Sequence, residues 1–370
     1  MKLAIFSSAR SDFGILKNLI ITLKKDQRFN PYLIIGGAHT AKIFGNTVKE
    51  IDKISIKKIF LRLKYSQSKE HNILRSAELT LRKSNDILKR NKFDGAIILG
   101  DRYEMMLFSL CCLFYKIPII HLSGGSNTEG SIDDIFRYSI SKMAKIHLLE
   151  TNFHKKNLLN IGLKKNLFIV GAPALEKIDH NFENINLTAK EKNFLNEKKE
   201  KKIIACFHPE TTKSLKENLS NLKVLINFLN SKKHKVAFTF PNADEGFNEF
   251  IKIIKEKLKK DSLIVPSLGI KKYHYFLSKA NLLIGNSSSG IVESCSFKIP
   301  CLNIGYRQKG RFAPKNVLHA NFKRNEINKK YKIALSNNFL KKIKKLKNPY
   351  EKKNTSKKIC NHIYLNLKNV

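Results

Sequence analysis

Two kinds of hydrophobic pattern alternate along the chain. Short apolar runs recur at Lys2–Phe6, Tyr32–Ile35, Gly95–Leu99, Ile119–Leu122, Ile146–Leu149 and Leu167–Val170. Runs of this length with few polar interruptions predict strands buried on both faces. Between them lie longer amphipathic stretches. Phe13–Lys25 carries apolar residues at Ile15, Leu16, Leu19, Ile20 and Leu23, one face of a helix. Ala77–Arg90, Glu104–Tyr115, Asp133–Ala144 and Lys155–Asn160 are predicted helices by the same spacing. Glu176–Lys202 is polar and is predicted to be mostly helical.

The alternation then restarts. Strands are predicted at Ile203–Phe207, Lys235–Phe240, Leu263–Pro266, Leu282–Ile284 and Cys301–Ile304. Helices are predicted at Leu215–Asn230, Glu245–Leu258, Tyr273–Lys279 and Ile291–Phe297, with a lysine-rich, helical tail from about Leu340. Strand and helix in alternation with short links imply parallel sheets covered by helices. The fold class is therefore α/β, with two Rossmann-like domains whose parallel sheets face a cleft. The expected boundaries are 1–174, 175–345 and a basic tail at 346–370. In such sheets ligands sit beyond the carboxyl ends of the strands, so the strand-to-helix junctions are where chemistry is sought.

Composition changes this picture little. A chain of 370 residues is long for one core, and its 42% hydrophobic content is ordinary. The charge is not: 70 Lys and Arg against 30 Asp and Glu give +40. That balance raises nucleic acid or an anionic membrane as partners. The lysines are dispersed rather than clustered, however, and interleaved with Asn and Ile, so a solvated surface is expected and neither partner is. Six cysteines (111, 112, 206, 295, 301, 360) include no C-x-x-C and sit mostly in apolar runs. They read as reduced, buried thiols, with no disulfide framework and no thiolate metal site. The first residues lack the cleavage pattern of a signal peptide, and no apolar stretch approaches the roughly 20 residues of a membrane span. A cytoplasmic protein is expected.

The junctions carry the candidate chemistry. SSARSDFG follows the first strand, where Arg10 and Asp12 suit either a helix cap or an anion cradle. It contains no G-x-G-x-x-G, which counts against a dinucleotide cofactor. GDRYE brings Asp101, Arg102 and Glu104 to a strand end. HLSGGSNTEGSIDDIFR supplies His121, Glu129, Asp133, Asp134 and Arg137 on a glycine-rich loop, dense acid–base capacity; Asp133 and Arg137 share one helix face. FHPET places His208 at the top of the second half's first strand, and FPNADEG offers Asn242 and Asp244 in a turn. IGNSSSGIVES puts Ser287, Ser288 and Ser289 before a helix that also holds Glu293. A cap needs one serine only, and position 292 is Val where a capping box from Ser289 needs Glu or Gln. Several hydroxyls there, with Arg307 and Arg311 in the following NIGYRQKGR, suit a nucleotide diphosphate.

These seven motifs, in this order over residues 1 to about 320, resemble the hydrolysing UDP-N-acetylglucosamine 2-epimerases. That family supplies N-acetylmannosamine for sialic acid synthesis, and a sister group acts on 2,4-diacetamido-2,4,6-trideoxy sugars for legionaminic acid. The resemblance implies a fold like the two-domain glycosyltransferases (GT-B), no metal and no cofactor, and a homodimer or homotetramer. The substrate would be a UDP- or GDP-linked sugar, handled by a catalytic N-terminal domain and a nucleotide-binding C-terminal one. Loss of the C2 proton with elimination of the nucleotide would give a 2-acetamidoglucal, and water would then add with inversion at C2. The matched positions are Arg10, Ser287, Ser288, Glu293 and Arg307 for the nucleotide. Asp101, His121, Asp133, Asp134, Arg137 and His208 match the catalytic or sugar-binding positions. Many members carry an acid at the position of Ser123 and others at that of Ser126. Both are serine here, which points to Glu129 for the acid's role and leaves open which residue is the base. Rival readings are a glycosyltransferase of the same fold, a non-hydrolysing epimerase and a non-enzymatic binder of nucleic acid.

Overall fold

A computed structural model describes residues 1–40, 51, 52, 54–61, 73–176, 178, 182, 183, 185–241 and 246–368. They form two α/β units, each built on one parallel sheet. The first unit comprises 1–126, 133–177 and 350–370, and the second 127–132 and 178–349. Two details depart from the expected boundaries. The short segment 127–132 belongs with the second unit, and the C-terminal residues belong with the first.

In the first unit the elements are β1 (Lys2–Ser7), α1 (Arg10–Lys25), β2 (Asn30–Ile35), β3 (Lys57–Phe60), α2 (Ile73–Arg90), β4 (Gly95–Leu99) and α3 (Tyr103–Phe114). Then follow β5 (Ile119–Leu122), α4 (Asp133–Met143), β6 (Ile146–Leu149), α5 (Asn152–Asn160) and β7 (Leu167–Ile169). The strand order is β3-β2-β1-β4-β5-β6-β7. Every pairing is parallel, with Leu3 opposite Gly95 and Leu99 opposite Leu122. Order reverses between β1 and β4, so that is where the strand ends open into a crevice.

The second unit repeats the plan with α6 (Ala189–Asn196), β8 (Lys201–Cys206), α7 (Leu215–Asn230), β9 (His234–Thr239), α8 (Phe247–Lys257) and β10 (Leu263–Val265). It continues with α9 (Gly269–Lys279), β11 (Leu282–Gly285), α10 (Ser288–Val292), β12 (Cys301–Ile304), β13 (Val317–Ala320), α11 (Arg324–Ala334) and α12 (Asn337–Lys344). Its order is β10-β9-β8-β11-β12-β13, with the reversal between β8 and β11. The last helix, α13 (Thr355–Leu367), returns to the first unit.

Several expectations needed correction. Within the polar run 176–202, only α6 is helical among the described residues. That run lacks an apolar face, and Glu176 is drawn instead onto the Ser356 amide at 2.7 Å. The helix expected at 291–297 begins earlier and ends sooner, at Ser288–Val292. Beyond it Ser294 Oγ donates back to the Gly290 carbonyl at 2.6 Å, and Lys298 takes a left-handed φ of 56°. The strand at 57–60 and helix α11 escaped the pattern because their apolar content is low, and the strand at 317–320 (VLHA) because it is too short to stand out. β3 reads KKIF with no buried residue, as an edge strand can.

The C-terminal residues are no loose tail. Ile359, Cys360, Ile363 and Leu367 of α13 join Leu16, Leu19, Ile20 and Leu23 of α1 and the strands of the first sheet in one core. Thr355 Oγ1 also donates to the Val170 carbonyl at 2.9 Å. All six cysteines are buried free thiols, and burial pushes Cys301 and Cys360 up to about 12. Among the described residues no helix is long and apolar enough to cross a membrane.

Truncating Ile359 to Ala is therefore expected to destabilise the protein by about 2–4 kcal/mol, the range for a fully buried aliphatic side chain. Urea unfolding measures it; an unchanged midpoint would restore the picture of a peripheral tail.

Candidate functional site

In the first unit the candidate residues gather at the carboxyl ends of β1, β4 and β5. The turn after β1 is braced from within. Asp12 Oδ2 accepts from the Ser8 amide at 3.1 Å, the Ser8 hydroxyl at 3.0 Å and the Ala9 amide at 2.9 Å. Burial pushes the Asp12 carboxyl up, against the opposing pull of Arg102 and these hydrogen bonds. Asp12 thus builds the turn, and Arg10 opens the helix behind it. Ser7 Oγ lies 2.8 Å from His39 Nε2, a buried pair of residues that no motif connects.

Arg137 organises the next junction. It is 1% exposed, and it pairs with both Asp101 and Asp134. Its Nη1 also donates to the Ser126 carbonyl at 2.8 Å. Burial alone would lower the guanidinium's pKa, but Asp101, Asp134 and, behind them, Asp133 raise it. One side chain therefore ties the end of β4, the loop after β5 and the start of α4. Arg102 does a smaller version of this with Glu104, both contacts at 3.3 Å.

His121 is fully buried, with Nε2 2.8 Å from the Gly100 carbonyl and Nδ1 3.0 Å from Ser141 Oγ. A carbonyl only accepts, so Nε2 carries the proton and Nδ1 takes the serine's. Burial pushes the imidazole down to about 3, despite the Gly100 and Asp101 contributions that raise it. His147, its neighbour across the strand pairing, is pushed down to about 4 by burial. His121 is thus a neutral strut under the 100–101 turn. Ser123 has a φ of 62°, and its hydroxyl donates to Glu150 at 2.8 Å, a residue the sequence reading did not single out.

In the second unit the hub is Asn286, fully buried at the end of β11. Its Oδ1 accepts the His208 amide at 2.7 Å, and its Nδ2 donates to the His208 carbonyl at 2.8 Å. Its own carbonyl accepts Arg307 Nη1 at 3.3 Å and Gln308 Nε2 at 3.0 Å. Gly285 makes this approach possible. Its φ is 136°, and a Cβ there would lie 1.8 Å from the Cys206 carbonyl oxygen. Glu210 is a second residue that sequence reasoning passed over, although it stands in the quoted FHPET. Fully buried, it accepts the amides of Tyr306 at 2.6 Å and Arg307 at 3.2 Å, and pairs with Lys213 at 2.9 Å.

The three serines divide their work. Ser287 is the N-cap of α10 without a side-chain cap bond, and its hydroxyl lies 3.2 Å from that of Ser289. Ser289 is 2.6 Å from the Tyr273 hydroxyl, and Ser288 is exposed. Glu293 pairs with His274 at 2.9 Å. Burial and then the Arg307 charge push His208 well below its usual range, and its Nε2 lies 3.2 Å from Cys206 Sγ. Glu129 lies on the segment belonging to this unit, in an exposed pair with Lys309 at 2.8 Å. Asn242 and Asp244 lie outside the described residues.

The sequence profile of the UDP-N-acetylglucosamine 2-epimerase family matches residues 21–364, and the chain belongs to that family. It is an enzyme of the nucleotide-sugar 2-epimerase kind. More particularly, it is 36% identical over 325 residues to a Campylobacter jejuni protein named GDP/UDP-N,N'-diacetylbacillosamine 2-epimerase (hydrolyzing), covering 86% of this chain and 83% of the relative. It is 29% identical over 361 residues to polysialic acid biosynthesis protein P7 of Escherichia coli, covering 95% and 91%. Among solved structures, Methanocaldococcus jannaschii UDP-GlcNAc 2-epimerase in complex with UDP-GlcNAc and UDP superposes with a TM-score of 0.81 at 18% identity, covering 99% of this chain and all of that one. The fold is thus of the two-domain GT-B-like kind.

The buried histidine has a measurable consequence. Between pH 6.5 and about 3 the unfolded chain takes up a proton that folded His121 refuses. Its contribution to stability therefore falls as pH drops through that window, by up to about 1.4 kcal/mol per pH unit. The ring-proton NMR signals of His121 are expected to stay constant from about pH 8 to about pH 5 in the folded protein. A titration step near the ordinary histidine value would reinstate it as an acid–base group.

Proposed function

We propose that this chain is a hydrolysing 2-epimerase of a nucleoside-diphosphate-linked 2-acetamido sugar. The observation that carries this reading is its 36% identity to the Campylobacter jejuni hydrolysing enzyme over most of both chains. The same observation favours a 2,4-diacetamido-2,4,6-trideoxy sugar over N-acetylglucosamine as the substrate. The site geometry supports the reading unit by unit.

The reaction needs a base at C2 and a preorganised home for the charge that grows on the departing diphosphate. The second unit supplies donors for that charge. Arg307 is held at the Asn286 carbonyl, Ser288 is exposed beside Ser287, and His208 is fixed by two backbone bonds to Asn286. In this reading Arg307, Ser287 and Ser288 take the diphosphate. His208, kept neutral, donates a hydrogen bond rather than a charge. Glu293 takes the ribose hydroxyls, and its pairing with His274 fixes its rotamer.

The first unit supplies the sugar side. Asp101 and Asp134 pair with the buried Arg137, which orients them, and the charge of Asp133 acts on the same guanidinium. His121 sets the 100–101 turn from below through the Gly100 carbonyl.

The test is an NMR time course in deuterium oxide with UDP-N-acetylglucosamine and, in parallel, with UDP- and GDP-linked 2,4-diacetamido-2,4,6-trideoxyglucose. The expected outcome is release of free nucleotide and a manno-configured sugar with deuterium at C2, fastest on a diacetamido substrate. Release of nucleotide with a gluco-configured sugar, or no turnover on any substrate, would defeat the proposal. Separately, Arg307→Ala should weaken UDP binding about tenfold or more, since a charge-assisted contact of roughly 1.5–3 kcal/mol is lost. Calorimetric titration with UDP measures this.

A further inference from the structure

The reading above, on which this inference rests, has His208 donate a hydrogen bond to the departing diphosphate. A neutral imidazole has one ring proton and two nitrogens that can carry it. The contact made by one nitrogen decides whether the other donates. The chain brings a side chain to one of them: Cys206 Sγ lies 3.2 Å from His208 Nε2.

We propose that Cys206 is a positioning residue for His208: its thiol donates to Nε2 and so fixes the ring in the tautomer that carries its proton on Nδ1. Both residues are anchored. Cys206 is the last residue of β8, paired in register with Thr239 of β9 and Gly285 of β11. Its carbonyl accepts the Asn286 amide at 3.1 Å. Asn286 in turn holds the amide and the carbonyl of His208, at 2.7 and 2.8 Å. With the backbone fixed at one end and Nε2 met by sulfur at the other, the orientation of the ring is set.

The direction of the contact follows from the chemistry of the two groups. Both are neutral. Burial raises the Cys206 thiol above its usual range, and burial, then the Arg307 charge, holds His208 well below its own. The Thr239 hydroxyl opposes the rise at Cys206, so it acts on the sulfur as a donor and leaves the thiol its own proton to give. Sulfur accepts only weakly, whereas the bare nitrogen of an imidazole is a strong acceptor. The thiol proton therefore belongs on the line to Nε2, and the ring proton on Nδ1.

With the thiol removed, that preference goes. The ring would then divide between two tautomers and would present a lone pair for part of the time where a donor is required. Phosphate oxygens repel a lone pair. Cys206 thus acts through His208, on the charge that grows as the diphosphate leaves, without touching the substrate.

The test uses the full chain with isotope-labelled histidine and long-range proton–nitrogen NMR at neutral pH. The His208 signals are assigned by their loss in His208→Gln. In the wild type Nδ1 should be protonated and Nε2 bare. Cys206→Ser, whose hydroxyl also donates, should keep that pattern, and Cys206→Ala should move the proton at least in part to Nε2. On whichever substrate the wild type turns over, Cys206→Ala should lower kcat about tenfold with KM within about threefold, and Cys206→Ser should restore most of the loss. A protonated Nε2 in the wild type overturns the proposal, as does an unchanged tautomer in Cys206→Ala. Should Cys206→Ala fail to fold, the wild-type tautomer decides. A wild type inactive on every substrate overturns the epimerase reading, and the NMR still decides the tautomer. An active wild type matched in kcat by Cys206→Ala overturns the positioning role alone.

Discussion

The candidate site of the first unit depends on one buried cation. Arg137 sits at 1% exposure, where an unpaired guanidinium would be very costly, so the chain must bring carboxylates and carbonyls to it. The ones it brings come from three separate segments: Asp101 after β4, Ser126 in the loop after β5, and Asp134 at the start of α4. Satisfying Arg137 therefore fixes where those segments can lie. An apolar residue of similar volume could cover the same helix face more cheaply, but it would leave the two turns without a common anchor. The arrangement exchanges stability for position, as a site that must hold charge in a set geometry requires.

The second unit solves the same problem with neutral groups. A parallel sheet ends in backbone amides and carbonyls that the next turn has to satisfy. Asn286 satisfies both polar groups of His208 through one amide side chain, and its carbonyl collects Arg307 and Gln308. Glu210 does the equivalent for the amides of the loop after β12. Neither residue has to touch a ligand. Each determines where a cation or a histidine that can touch one is held.

That distinction explains what the sequence revealed and what it hid. The alternation of apolar runs with amphipathic helices made the two parallel sheets legible, because buried strands and one-sided helices are dictated by local periodicity. The motifs at strand ends were legible for the same reason: the strands locate them. Roles were less so. Asp12 and Ser289 read as substrate-binding groups and His121 as a catalytic one, and periodicity gave no sign of the partners they meet within the chain: the turn backbone, Tyr273 and Ser141. Asn286 and Glu210 stood inside quoted motifs unremarked, since burial is what marks them and burial is a tertiary property. The stretch 346–370 read as a basic helical tail because lysines crowd its first half, while four apolar positions of the helix at 355–367 fill the core beside α1. The family resemblance supplied what periodicity could not: the order of the motifs and the reaction they imply.

The fate of the histidines narrows the chemistry further. At a strand end a histidine suggests proton transfer, because its ordinary pKa lies near neutrality. Burial removes that advantage by penalising the charged form, and it does so for His121, His147 and His208 alike. Each becomes a neutral ring whose hydrogen-bonding pattern is set by its surroundings. His121 shows the limiting case, a donor to one carbonyl and an acceptor from one hydroxyl. A fold that neutralises its histidines at the strand ends leaves proton chemistry at C2 to its carboxylates. Asp101 and Asp134, paired to the Arg137 guanidinium, hold the framework of the first unit's strand ends.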